Sequence, residues 1–148
     1  MKNTRRNFIK KTLLISAATW LVPKLSWAAD LFSATSLEKT LSTLTGDKTI
    51  ESSDKIKFIR LPTIAENGAV VPITITTTLT AVETIAIIVA KNPIPLAAQF
   101  TLSPKLLPKV SARLKMAKTS EVIALVKADN QYYMTKQTVK VTIGGCGG

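Results

Sequence analysis

From residue 55 onward the sequence is a chain of short β-branched runs, each stopped by Pro, Gly or an Asn-containing pair. This punctuation leaves little room for helices and points to many short strands. Residues 55–61 (KIKFIRL) and 110–116 (VSARLKM) alternate apolar and polar side chains, as half-buried strands do. Residues 70–79 (VVPITITTTL), 84–91 (TIAIIVAK), 96–102 (LAAQFTL) and 121–128 (EVIALVKA) are further strand candidates. Asp129-Asn130 joins the last of these to residues 131–135 as a hairpin, and residues 139–143 (VKVTI) form a final alternating strand. Glu66-Asn67-Gly68 reads as hairpin-turn chemistry, and prolines at 62, 72, 93, 95, 104 and 108 indicate irregular strand edges. About seven or eight strands at regular spacing predict an antiparallel β-sandwich.

One helix precedes them. Leu37, Leu41 and Leu44 share a helical face, Ser36 can cap the start, and Gly46 can stop it. Its Ser and Thr content makes it weak alone, so the Leu face should dock on the sheet.

The residue inventory excludes several chemistries. The 148 residues include one Cys and no His. One thiol closes no internal disulfide, and without His it makes no thiolate–imidazole zinc site or Cys–His nucleophile pair. The net charge of +11 divides unevenly: residues 1–28 hold six basic residues and no acid, leaving 14 basic against 9 acidic in the remainder. Those charges form no basic run, which argues against nucleic-acid binding and for a mildly basic surface suited to acidic partners or anionic substrates.

The first 28 residues read as an address. Arg5-Arg6 followed by Phe8, Ile9 and Lys10 leads into a mild apolar run (13–22) and a small-residue cleavage site at Ala28. The run is too short for a stable membrane span. The Arg pair resembles a bacterial twin-arginine (Tat) signal peptide, which predicts export of folded cargo to the periplasm. The domain expectation is therefore a signal at 1–28, a β-sandwich at 29–143 and an arm at 144–148. Because the chain has no evident cofactor ligands, a partner without its own signal is a reason to travel folded.

The sequence ends Gly144-Gly145-Cys146-Gly147-Gly148. Glycines on both sides of the sole thiol predict a flexible, narrow tether that reaches on the order of 10 Å beyond the last strand. An unpaired Cys in an exported protein suggests a reactive or intermolecular role. No Lys, Arg or His lies within the last eight residues to lower its pKa. A thiol on a tether without its own base suits carriage of a covalent group that other enzymes process.

The ending VKVTIGGCGG closely resembles the SoxY family, the sulfur-carrier subunits of the periplasmic thiosulfate-oxidising (Sox) system. So do residues 64–72 (IAENGAVVP), 91–95 (KNPIP) and 113–120 (RLKMAKTS), together with the twin-arginine leader. Asp129-Asn130 departs slightly, since members often show Asp-Gly, but Asn also tolerates positive φ. The resemblance implies an immunoglobulin-like sandwich and a heterodimer with SoxZ, which is exported with it. Cys146 becomes the covalent attachment point, with Gly144, Gly145, Gly147 and Gly148 as the arm that enters partner active sites. SoxXA would join thiosulfate to the thiol, SoxB would hydrolyse off sulfate, and SoxCD, where present, would oxidise the remaining sulfane sulfur. The expected groups on Cys146 are a thiosulfonate and a persulfide. The chain would supply no catalytic residue, metal or other cofactor and would be a non-catalytic carrier.

Arg113, Lys115 and Lys118 are candidates for steering anionic partners, although exposed strand charge is the simpler account. Tyr132-Tyr133 must point to opposite faces of a strand, so at most one should be buried, and the outer one could meet a partner. The other reading of the residues is a periplasmic assembly module whose Cys146 forms an intermolecular disulfide.

Overall fold

The computed structural model describes residues 32–142; the predicted signal at 1–28, Cys146 and its four flanking glycines lie outside them. Helix α1 (Leu37–Thr45) starts at Ser36, whose extended backbone lets its Oγ accept the Lys39 N–H at 3.2 Å. It ends at Gly46, which adopts φ 60° and returns its N–H to the Ser42 carbonyl at 2.8 Å. Glycine takes this left-handed cap without a Cβ clash.

Nine strands follow among the described residues: β1 (Ile50–Ser52), β2 (Ile56–Arg60), β3 (Ile64–Ala65), β4 (Val71–Thr77), β5 (Val82–Val89), β6 (Leu96–Thr101), β7 (Lys109–Leu114), β8 (Ser120–Ala128) and β9 (Gln131–Val141). They make two facing sheets, one of order β1-β9-β8-β5-β6 with β3 also beside β9, the other of order β2-β4-β7. This is the expected all-β, immunoglobulin-like sandwich with a short N-terminal helix.

The burial pattern explains the two kinds of apolar run. In the large sheet, Ile85, Ile87, Val89, Val122, Ala124 and Val126 face the small sheet and pack with Val71, Ile73, Ile75, Val110 and Leu114. The intervening Ala86, Ile88, Ile123 and Leu125 form a second cluster, covered by Leu37, Leu41 and Leu44 of α1. Both faces of β5 and β8 are therefore dry, so their sequences are continuously apolar. Each fully buried Ile contributes roughly 1.5–3 kcal/mol of transfer free energy. Strand β4 instead alternates strictly between buried and half-exposed residues, because the small sheet is covered on one face.

Several expectations need correction. Residues 131–135 and 139–143 are not separate strands: one strand, β9, pairs with β8 from Gln131 to Val139. The long partner β8 carries the polar stretch Lys136-Gln137-Thr138 through without a break. The sandwich is not wholly antiparallel, since β1 and β3 pair with β9 in parallel. Glu66-Asn67-Gly68 is not a hairpin turn; it carries the chain from β3 in one sheet to β4 in the other. Pro72 lies within central β4, not at an edge strand. The even-numbered β4 amides face β2, as Thr78 N–H does in bonding Lys55. Pairing with β2 stops at Thr74, so proline's missing donor costs no ladder bond there.

The predicted Asp129-Asn130 hairpin is present. Both residues have positive φ, 51° and 60°, the geometry that matches a tight turn to strand twist.

Candidate functional site

The last described residues of β9 are held from both sides. Lys140 N–H donates to the Thr63 carbonyl at 2.8 Å and Thr142 N–H to Ala65 at 3.1 Å. On the other side, Thr119 Oγ1 accepts the Val141 N–H at 3.0 Å and faces the Val141 carbonyl at 3.4 Å. The chain is thus anchored up to Thr142.

Two loops are fixed around this point. Met116 N–H donates to the Gly68 carbonyl at 2.7 Å. A Cβ on Gly68 would lie 2.5 Å from the Met116 carbonyl oxygen and 3.0 Å from Val141 Cγ1, so only glycine allows this approach. Asn92, in the β5–β6 turn, bridges the β7–β8 loop: its Nδ2 donates to the Lys115 carbonyl at 2.7 Å and its Oδ1 accepts the Ala117 N–H at 3.0 Å. Ser120 Oγ accepts the Lys91 N–H at 2.9 Å. The fold therefore gathers residues 64–72, 91–95 and 113–120 at one end of the sandwich, where β9 finishes. In the sequence Asn92 and Thr119 stand out only within the family-like segments 91–95 and 113–120, with no sign of these bonds. A side-chain clamp between distant loops has no local sequence signal.

Cys146 follows Thr142 by four residues. Chain length alone keeps it within about 14 Å of that anchor. The surrounding loops carry Lys91, Lys115 and Lys118, with Arg113 at the end of β7; the nearby acids are Glu66 and Glu121, the latter paired with Lys136. None of these four cations has a side-chain ion pair or hydrogen bond among the described residues. This end is open and cationic, which suits anionic groups.

Chemistry elsewhere is sparse. Among the described residues no cluster of three or more His, Cys, Asp or Glu could hold a metal ion. The perturbed pair Glu83 and Lys127 sits beside the β8–β9 turn, where Glu83 Oε1 also accepts the Asn130 N–H at 3.3 Å. The hydrogen bond from Lys127 holds the Glu83 carboxyl below its ordinary range, and the same bond raises Lys127. Both effects fit a structural ion pair at the turn. No described helix is long and apolar enough to cross a membrane.

The tyrosines take opposite faces of β9, as expected of a strand. Tyr133 packs against the core between the sheets and Tyr132 against the α1 cluster, and both are half-buried. Both faces of β9 are partly covered at this point.

The family model described as sulfur oxidation protein SoxY matches residues 41–146. Among solved structures, the sulfur carrier protein SoxY from Chlorobium limicola f thiosulfatophilum is 37% identical, with a TM-score of 0.67 over 75% of this chain and 100% of that one. Superoxide reductase (neelaredoxin) from Ignicoccus hospitalis is 13% identical, with a TM-score of 0.56 over 63% of this chain and 95% of that one, and shares the fold alone. No match is found among curated protein sequences. The family match spans most of the sequence, takes in the loop cluster and extends to Cys146, and the chain belongs to the SoxY family.

Proposed function

We propose that this protein is a sulfur-carrier subunit of thiosulfate oxidation, with Cys146 as the covalent attachment point. The observation that carries the reading is the anchored end of β9, with the sole cysteine of the sequence four residues later between two glycine pairs. A fixed base and a short glycine-flanked extension would let the sulfur enter a partner's active site while the sandwich stays outside. Thiolate would be the reactive form. The partners' haems, metals and bases would supply the chemistry, and this chain would supply none.

In the proposed cycle the c-type cytochrome SoxXA takes two electrons as thiosulfate's sulfane sulfur bonds to the Cys146 sulfur. SoxB then adds water at the terminal sulfone, releasing sulfate and leaving a persulfide. SoxCD, where present, oxidises that sulfur so that SoxB can release it as a second sulfate. SoxZ is the proposed stable partner. Export through the twin-arginine pathway would deliver the folded pair to the periplasm.

The test is Cys146→Ser in the reconstituted system. Thiosulfate-dependent cytochrome reduction should be abolished while the variant melts as the wild type does, because Cys146 lies beyond the anchored sandwich. Retained turnover would sink the carrier assignment.

A further inference from the structure

The outer face of the small sheet carries a second feature, separate from the cysteine. Strands β2, β4 and β7 hold Lys57, Arg60, Lys109 and Arg113 and not one acidic residue. All four are exposed, and none has a side-chain partner among the described residues. In the large sheet, by contrast, Lys127 pairs with Glu83 and Lys136 with Glu121.

A β-bulge shapes this face. The register runs Phe58 opposite Ile75 and then Arg60 opposite Thr74, skipping Ile59. In an unbroken ladder Arg60 would oppose Ile73, whose side chain points into the core. The bulge turns Arg60 to the outside, a known use of such irregularities. It brings Arg60 into one cross-strand row with Thr74 and Ser111, and Arg113 follows beside Pro72. Thr74 Oγ1 and Ser111 Oγ lie 2.9 Å apart, within a shallow recess of about 300 Å³ that both arginines line.

We propose that this face is a docking surface for the acidic face of a transient protein partner. Guanidinium groups match carboxylates in a two-point fork, and the hydroxyl pair, bonded to each other, leaves one donor free between them. Exposed single pairs contribute little. Four unpaired cations on one face instead give a field that steers and orients an oppositely charged protein. Ile59, 61% exposed, is the large exposed apolar side chain on these strands. A permanent subunit interface would show a broader apolar centre.

The location fits the carrier reading, on which the identity of the partner rests. Arg113 precedes Met116 by three residues, and Met116 bonds the Gly68 loop that packs on Val141. A protein docked at Arg113 therefore sits beside the described end of β9, from which the sequence runs on to Cys146.

The test is calorimetric binding of the exported complex to purified SoxXA, SoxB and SoxCD, each at low and high salt. Arg60→Gln/Arg113→Gln should weaken at least one of them about tenfold and flatten its salt dependence. Arg60→Lys/Arg113→Lys should recover part of the loss, and Lys136→Gln should change nothing. Lys57→Gln/Lys109→Gln gives an independent second variant on the same face. Unchanged affinity for all three partners overturns the proposal, as does loss of free sulfate binding with protein affinities intact. Binding is read without turnover, so retained turnover by Cys146→Ser would remove the carrier reading while these affinities still decide the docking surface.

Discussion

The two sheets are built from similar strands yet live in different surroundings. The large sheet is covered twice, by the small sheet and by α1, and its described ion pairs are internal to it. The small sheet is covered once and turns unpaired cations and hydroxyls outward. Coverage on both faces makes a rigid platform and uses up its surface. Coverage on one face leaves an exterior that can be spent on recognition. The division of labour is structural support on one side and an available surface on the other.

The sharpest way to break this comparison is to remove side chains from each sheet. Ile87→Ala, between the sheets, should cost about 2–5 kcal/mol in urea unfolding, because it leaves a cavity in a fully buried site. Ile59→Ala, on the outer face of the small sheet, should cost close to nothing. Equal losses would mean that the small sheet's outer face is covered after all. The next effect lies at the junction of the two sheets. Gly68→Ala forces a Cβ to within 2.5 Å of the Met116 carbonyl oxygen, and should destabilise by about 1–3 kcal/mol.

The helix contribution is smaller. Ser36→Ala removes the acceptor for the Lys39 N–H and should lower stability by about 1 kcal/mol, seen as a lower midpoint with an unchanged slope. Arg60→Gln/Arg113→Gln should leave stability within about 0.5 kcal/mol of wild type. A large loss there would place those arginines in the framework.

The smallest effect is at the Glu83–Lys127 pair. The carboxyl is held below its usual range, so its contribution is present above that range and fades as pH falls through the depressed value. Lys127 is raised, so its contribution is present below the usual lysine range and fades as pH rises through the raised value. Glu83→Gln should lower neutral-pH stability slightly and make acid unfolding less steep by the same small amount, so that the two proteins converge at low pH.

These same contrasts explain which parts of the molecule were legible in the sequence. Helix α1 was readable because its cap, its Leu spacing and Gly46 are local signals. The Asp129-Asn130 turn was readable for the same reason. The continuously apolar runs of β5 and β8 marked buried strands, but not that a helix covers one side. Strands β1 and β3 escaped notice because Ile-Glu-Ser and Ile-Ala carry too little pattern and exist only by pairing with β9. The Asn92 clamp and the outward turn of Arg60 depend on contacts between distant segments. The candidate cysteine was singled out by composition alone, one thiol among four glycines with no base beside it, and it lies outside the described residues. The cationic face was half legible, because alternation in residues 110–116 showed Arg113 facing out while the bulge at Arg60 has no local signature.

Intact mass spectrometry of this protein, purified together with whatever binds it from cells grown with thiosulfate, tests the carrier account most directly. Before reduction the peptide containing Cys146 should carry added sulfur or a sulfonate-bearing group, and after reductant it should return to the free thiol, with a second small β protein co-purifying. An unmodified thiol, or a homodimer linked only through Cys146, would contradict the account and favour a disulfide-linked assembly module.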